Sequence, residues 1–112
     1  MSKGSTNTAP FPVCPEAELV LNEPRAAETP WGPVAVIRTG TGVYAVTDQC
    51  SHADVELSDG FVEGDTLECP AHFSRFCLRT GAALTMPAVE PVGTWTVTVL
   101  DGVITVAPRP RT

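Results

Sequence analysis

Long apolar segments are missing from this chain. The longest purely apolar run is Val34-Ala35-Val36-Ile37, far short of the roughly 20 residues that a membrane-spanning helix needs. No apolar stretch follows Lys3 as it would in a secretory signal, so the expected compartment is the cytoplasm. Positive charge is also scarce: 7 Lys and Arg stand against 13 Asp and Glu, a formal net charge of −6. Nucleic acid and anionic membrane are therefore poor partners, and a positively charged protein surface is a better one. There are no internal repeats and no interior linker, and 112 residues make one domain rather than two. Four cysteines are too few for a disulfide scaffold.

What is present favours short strands joined by turns. Gly (9) and Pro (11) contribute 20 of the 112 residues, while 43% hydrophobic and 18% charged residues suit a modest folded core. Residues 1–10 and 108–112 read as loose tails, because the first are small and polar and the last alternate Pro and Arg. Val34 to Arg38 is a β-branched run, Thr39-Gly40-Thr41-Gly42 a turn, and Val43 to Thr47 the returning strand. Thr94 to Val99 alternates strictly, which predicts Trp95, Val97 and Val99 on the core face and the threonines outside. Asp101-Gly102 then links to Val103-Ile104-Thr105-Val106, a strong hairpin signal. Thr66 to Glu68 and Phe76 to Leu78 are weaker strand candidates, and Glu16 to Glu23 fits either a strand or a helical turn. The expected fold class is all-β.

The chemistry is concentrated in four residues. The only two histidines each follow a cysteine closely, as Cys50-Ser51-His52 and Cys69-Pro70-Ala71-His72, with 16 residues between the pairs. A chance reading makes the cysteines small buried apolar residues and the histidines surface residues. A structural zinc site is a second reading, since two Cys and two His satisfy tetrahedral zinc, but zinc fingers usually pair like with like. The third reading uses the mixture itself. If each loop supplies one Cys and one His, both cysteines can converge on one iron of a [2Fe–2S] cluster and both histidines on the other, the ligation of a Rieske centre.

At this point the chain resembles the Rieske-type [2Fe–2S] ferredoxins, most closely the small ferredoxin components of bacterial aromatic-ring dioxygenases of biphenyl, naphthalene and carbazole type. The resemblance runs from about Val34 to Val106. Its specific part is Asp48-Gln49-Cys50-Ser51-His52-Ala53-Asp54, Glu63-Gly64-Asp65, Glu68-Cys69-Pro70-Ala71-His72 and Arg75-Phe76-Cys77-Leu78-Arg79-Thr80-Gly81. It implies an antiparallel β-sandwich with a cluster-binding subdomain of about Thr47 to Pro87, and one Rieske cluster held by Cys50, His52, Cys69 and His72. Met86 to Pro91 resembles the proline-containing loop that covers the cluster in that family. The implied role is one-electron transfer from an NAD(P)H-dependent flavin reductase to a terminal Rieske oxygenase, as a component rather than an enzyme. A small subunit of an assimilatory reductase such as nitrite reductase, and a zinc-stabilised interaction module, are the alternative readings.

Departures from the family pattern carry their own expectations. The family commonly has Gly after the second ligand histidine, where this chain has Phe73. Either the backbone there needs no positive φ, or the loop differs locally. High-potential relatives carry a disulfide between the ligand loops, and the matching positions here are Val55 and Ala71. They also place a Ser and a Tyr after the second histidine to hydrogen-bond cluster sulfurs. Ser74 matches the first, and Phe76 stands where the tyrosine would be. The resemblance thus implies a potential near the low end of the Rieske range, about −150 mV.

From Thr39 to Ser74 there is no Lys or Arg, and seven acids fall there: Asp48, Asp54, Glu56, Asp59, Glu63, Asp65 and Glu68. They make either an ordinary solvated face or a docking surface for basic partners. Cys77 reads as a small buried hydrophobe, a thiol-redox pair of Cys14 with Cys77 has no C-x-x-C support, and Trp31 and Trp95 read as core aromatics.

Overall fold

The structure is a computed structural model, and it describes residues 9–51, 53–71 and 73–108. Among the described residues nine strands follow in order: β1 Phe11–Pro15, β2 Arg25–Thr29, β3 Gly32–Thr39, β4 Gly42–Thr47, β5 Phe61–Glu63, β6 Thr66–Glu68, β7 Arg75–Cys77, β8 Thr94–Leu100 and β9 Val103–Pro108. Short 3-10 turns occupy Glu16–Glu18 and Leu57–Asp59. A six-stranded sheet has the order β1-β9-β8-β4-β3-β2, and a three-stranded sheet the order β5-β6-β7. All strand pairs are antiparallel. The all-β expectation holds.

The apolar run in β3 explains how the layers assemble. Val34, Ala35, Val36 and Ile37 are all fully buried, although successive side chains point to opposite faces. Val34 and Val36 pack with Cys14, Leu19, Ala45, Ile104 and Val106, so the large sheet curls and closes β1 and β9 over one face of β3 and β4. Ala35 and Ile37 pack with Val46, Leu57, Leu67, Phe76, Leu78 and Val92, beneath the small sheet. A segment buried on both faces has to be apolar at every position, and Val34 to Ile37 is. Val34, Val36 and Ile37 each contribute roughly 1.5–3 kcal/mol through burial.

Local signals set the hairpins. Leu100 pairs with Val103 across Asp101 and Gly102, whose φ values of 52° and 79° are both left-handed, as a type I′ turn requires. Strand β8 departs from its expected pattern. Trp95 and Val97 pack against the core, but Val99 is 42% exposed. β8 meets β4 only at Thr94 and Trp95, so its distal half projects beyond the layer that would cover Val99. The C-terminal tail also begins later than expected: Pro108 is the last residue of β9, in register with Trp95. A strand's terminal residue can lack a donor at little cost.

Three strands carry little sequence signal. β1 contains two prolines, Pro12 and Pro15, and a bulge between Pro12 and Cys14, which an edge strand tolerates. β2 is mostly Ala and charge, and β5 has only three residues. Glu16 to Glu23 resolves into the 3-10 turn, anchored by Glu16 N–H to the Gly102 carbonyl at 2.7 Å, and a bridge between Leu21 and Arg38.

A polar clamp joins the two sheets. The Asp65 carboxylate accepts hydrogen bonds from Thr39 Oγ1 at 3.1 Å and Thr41 Oγ1 at 2.7 Å, both at the β3–β4 turn. Arg79 adds an ion pair at 3.9 Å. Asp65 immediately precedes β6 and Thr41 immediately precedes β4, so the clamp aligns the starts of the two strands whose far ends lead to Cys50 and Cys69.

Gly81 provides a sharp test of this packing. It has φ +80°, and a Cβ there would lie 2.1 Å from the Val92 carbonyl oxygen. Gly81→Ala should cost roughly 2–4 kcal/mol, from left-handed strain plus the backbone clash. Gly40→Ala meets no neighbouring atom and should stay within about 0.5 kcal/mol of the parent. Denaturant unfolding of the two variants makes the comparison.

Candidate metal centre

Two loops leave the ends of β4 and β6 and are built alike. Cys50 donates its N–H to the Val55 carbonyl at 3.0 Å, and Cys69 donates its N–H to the Ser74 carbonyl at 2.7 Å. Each cysteine thus closes a loop of the same length onto itself. Beneath the first loop, the buried Asp48 carboxylate accepts the Ser58 N–H and the Ser58 hydroxyl, both at 2.7 Å. This latch holds the Leu57–Asp59 turn against the loop base, and nothing in the sequence pattern singles it out.

Cys50 and Cys69 meet. They are 4% and 0% exposed, belong to one buried cluster, and their thiols lie within hydrogen-bonding reach. Burial pushes the Cys69 thiol up to about 11, the neighbouring Cys50 adds to the rise, and the Ala71 N–H donating to the sulfur opposes it. Without a cation, therefore, Cys69 is held as a neutral thiol at neutral pH. As thiolates Cys50 and Cys69 need a positive charge between them, because two buried like charges at contact are strongly disfavoured. A metal ion supplies that charge, so this donor pair fits an iron site. His52 and His72 lie outside the described residues.

The segment after the small sheet closes over both loops. Ser51 Oγ–H donates to the Glu90 carbonyl at 2.6 Å, and Ala88 N–H donates to Ser74 Oγ at 3.0 Å. Arg75 N–H bonds Thr85 Oγ1 at 2.8 Å, and Leu84 N–H bonds the Arg75 carbonyl at 2.7 Å. The Met86 to Pro91 stretch thus lies across the two cysteine loops, where the resemblance places a covering loop. Ser74 is fully buried and Phe76 is 1% exposed, in the same cluster as Cys50 and Cys69.

Phe73 settles the question raised by the missing glycine. Its φ is 61°, so the backbone does take the left-handed conformation there, with a bulky residue in it. Such a residue carries strain on the order of 1–3 kcal/mol. The side chain is 60% exposed.

Several other expectations change on contact with the structure. Cys77 is only half-buried, and hydrogen bonding from the Thr80 hydroxyl, with help from backbone N–H groups, draws its thiol below the usual range. Cys14 is buried in the core beneath β1 and β9, and both it and Cys77 are free cysteines. Trp31 and Trp95 are half-buried and tilt against each other at 5.8 Å and 39°, and Trp95 Nε1–H donates to Thr47 Oγ1 at 3.2 Å. The seven acids separate into roles. Asp48 is buried in its latch, Asp65 forms the clamp, and Glu63 and Glu68 pair with Arg75 at 3.5 and 3.1 Å. Asp54, Glu56 and Asp59 remain exposed beside the first loop, around an open cleft with Asp48 and Val55.

Comparison with known proteins agrees with this geometry. The family model for the Rieske [2Fe-2S] domain matches residues 9–96. The 3-phenylpropionate/cinnamic acid dioxygenase ferredoxin subunit of Shigella flexneri is 42% identical over 91 residues, covering 80% of this chain and 84% of the relative. The ferredoxin of carbazole 1,9a-dioxygenase from Nocardioides aromaticivorans superposes with a TM-score of 0.84 at 37% identity, over 89% of this chain and 98% of that one. A chain in the complex of reduced oxygenase and oxidised ferredoxin in carbazole 1,9a-dioxygenase gives 0.86 at 32% identity, over 95% and 99%. With a matching family model over most of its length and a contacting buried cysteine pair at the expected positions, the chain belongs to the Rieske [2Fe-2S] domain family and has one Rieske cluster as its cofactor.

Proposed function

We propose that the protein is a one-electron carrier, receiving electrons from an NAD(P)H-dependent flavin reductase and passing them to a terminal aromatic-ring oxygenase. In this reading Cys50 and Cys69 hold one iron, His52 and His72 hold the other, and residues of about 47–87 act as the cluster-binding subdomain. The carrying observation is the meeting of the Cys50 and Cys69 thiols, buried at the heads of two loops closed in the same way. The ferredoxin subunits that the chain is similar to serve dioxygenases, and one is found in complex with its oxygenase. The protein is accordingly an electron-transfer component and not itself an oxygenase. No described helix is long and apolar enough to cross a membrane, and the cytoplasm is the proposed compartment.

When bound, the cluster supplies a one-electron couple. The chain's own residues tune and deliver it. Ala71 N–H aims at the Cys69 sulfur and favours added negative charge there. Ser74 accepts from Ala88 through its oxygen, which leaves its hydroxyl proton for a cluster sulfur. Phe76 offers no hydroxyl, so one sulfur bond of the high-potential relatives is missing, and the potential stays low. Residues of the Met86 to Pro91 stretch limit water at the loops. The exposed Asp54, Glu56 and Asp59 draw a basic partner to this end.

A redox titration followed by EPR should show a reduced Rieske signal with a midpoint near about −150 mV. Cys50→Ser and Cys69→Ser should each abolish the visible colour and the signal, while a colourless, zinc-loaded parent would overturn the reading. Phe76→Tyr should raise the midpoint by tens of millivolts, up to about 60 mV if its hydroxyl makes a full hydrogen bond to the cluster. Stopped-flow transfer to the oxygenase should slow about tenfold between low and high ionic strength. A rate flat with salt would remove the acidic docking role.

A further inference from the structure

Among the described residues, no burial of the side chain offsets the strain at Phe73. A left-handed backbone is the natural place for Gly, yet a phenyl ring stands there, 60% exposed. An aromatic side chain that is neither buried nor relaxed stabilises the free protein little. Strain of this kind persists where function uses it.

The surroundings of Phe73 point the same way. Ser74, its neighbour, is bonded to Ala88. Met86 and Val89 flank Ala88 in sequence and are 76% and 71% exposed. Three large, exposed apolar side chains therefore lie on adjoining segments, one in the second cysteine loop and two beside it. Acids edge this end of the molecule. Asp54, Glu56 and Asp59 are exposed beside the first loop, and Glu90 follows Val89. The arginines nearest in sequence are already committed, Arg75 to Glu63 and Glu68, and Arg79 to Asp65. An apolar centre with an acidic edge complements a protein surface having an apolar recess with a Lys- and Arg-rich rim. It does not suit a lipid headgroup or a nucleic acid.

We propose that Phe73, flanked by Met86 and Val89, is the anchor with which this ferredoxin seats on its terminal oxygenase. The inference rests on the carrier reading above and adds the residue that sets partner affinity. Charge at the edge speeds encounter, and the apolar centre excludes water and brings the electron's exit point close to the acceptor. A buried aromatic anchor acts mostly on the lifetime of the complex.

Phe73→Gly is an unusual test, because stability and function should respond independently. The variant relieves the strained backbone, so its Tm should be unchanged or raised. Its midpoint should move by less than the ~59 mV that a tenfold change in equilibrium represents. Reduction by dithionite, which needs no docking surface, should proceed at the parent rate. Transfer from the reduced variant to the oxidised oxygenase should fall at least tenfold at low protein concentration. Phe73→Leu, which keeps apolar bulk, should recover part of the loss, and Met86→Ser with Val89→Ser should lose several-fold with the ligand loops untouched. Parent-level transfer by Phe73→Gly overturns the inference, as does an equal loss in the dithionite reaction, which would place the effect on the cluster. A parent protein that accepts electrons normally but passes them to no oxygenase would instead overturn the carrier reading, and this inference with it.

Discussion

Two buried thiols in contact are the constraint on which the rest of the structure depends. Cys50 and Cys69 come from different sheets and meet where water is excluded. Burial and the neighbouring Cys50 both resist ionisation of Cys69, and two buried thiolates side by side would need a positive charge between them. Metal binding is in this way coupled to the folding of both loops. Fixing such a meeting point needs rigidity at a distance from it. The Asp65 clamp aligns the starts of β4 and β6, the Asp48–Ser58 latch braces one loop base, and the Met86 to Pro91 stretch spans both loops from above.

The layer arrangement follows from β3. Its four consecutive buried residues serve two cores at once. One core closes the curled large sheet, and the other carries the small sheet with Cys50 and Cys69. A volume change in β3 would therefore be felt on both sides, since interiors are packed to crystal-like density. The cysteines occupy the second core as small apolar residues do, which keeps the site dry before any metal arrives.

Stability and function divide along the same line. Beneath the cysteine loops the packing is tight, with Leu67, Cys69, Ser74 and Phe76 at most 1% exposed, whereas the left-handed Phe73, Met86, Val89 and the acids Asp54, Glu56 and Asp59 are exposed on the same segments. A transient electron carrier has to present a surface that is not satisfied internally, yet bind no partner for long. Weak apolar contact and screened charge meet both demands.

The fold class and the β3–β4 and β8–β9 hairpins were legible in the residues themselves, as was the pairing of each of two cysteines with a nearby histidine. Each is encoded locally: the β-branched runs, the Asp-Gly turn and the close spacing of Cys with His act within a few positions. The edge strand β1 and the small strand β5 were not legible, because prolines and short length erase their periodicity and only pairing partners define them. The exposure of Val99 followed from β8 parting from β4, a relation between distant strands. Among seven acids of similar appearance, only the tertiary structure could separate Asp48 in its latch and Asp65 in its clamp from those left facing solvent. The chain alone showed that Phe73 stands where a glycine is usual, but not whether the backbone there is left-handed. Sequence determines which groups are available within a few bonds of one another; the free energy of a charge or a strained residue is set by what lies across space from it, and that is decided when the sheets pack.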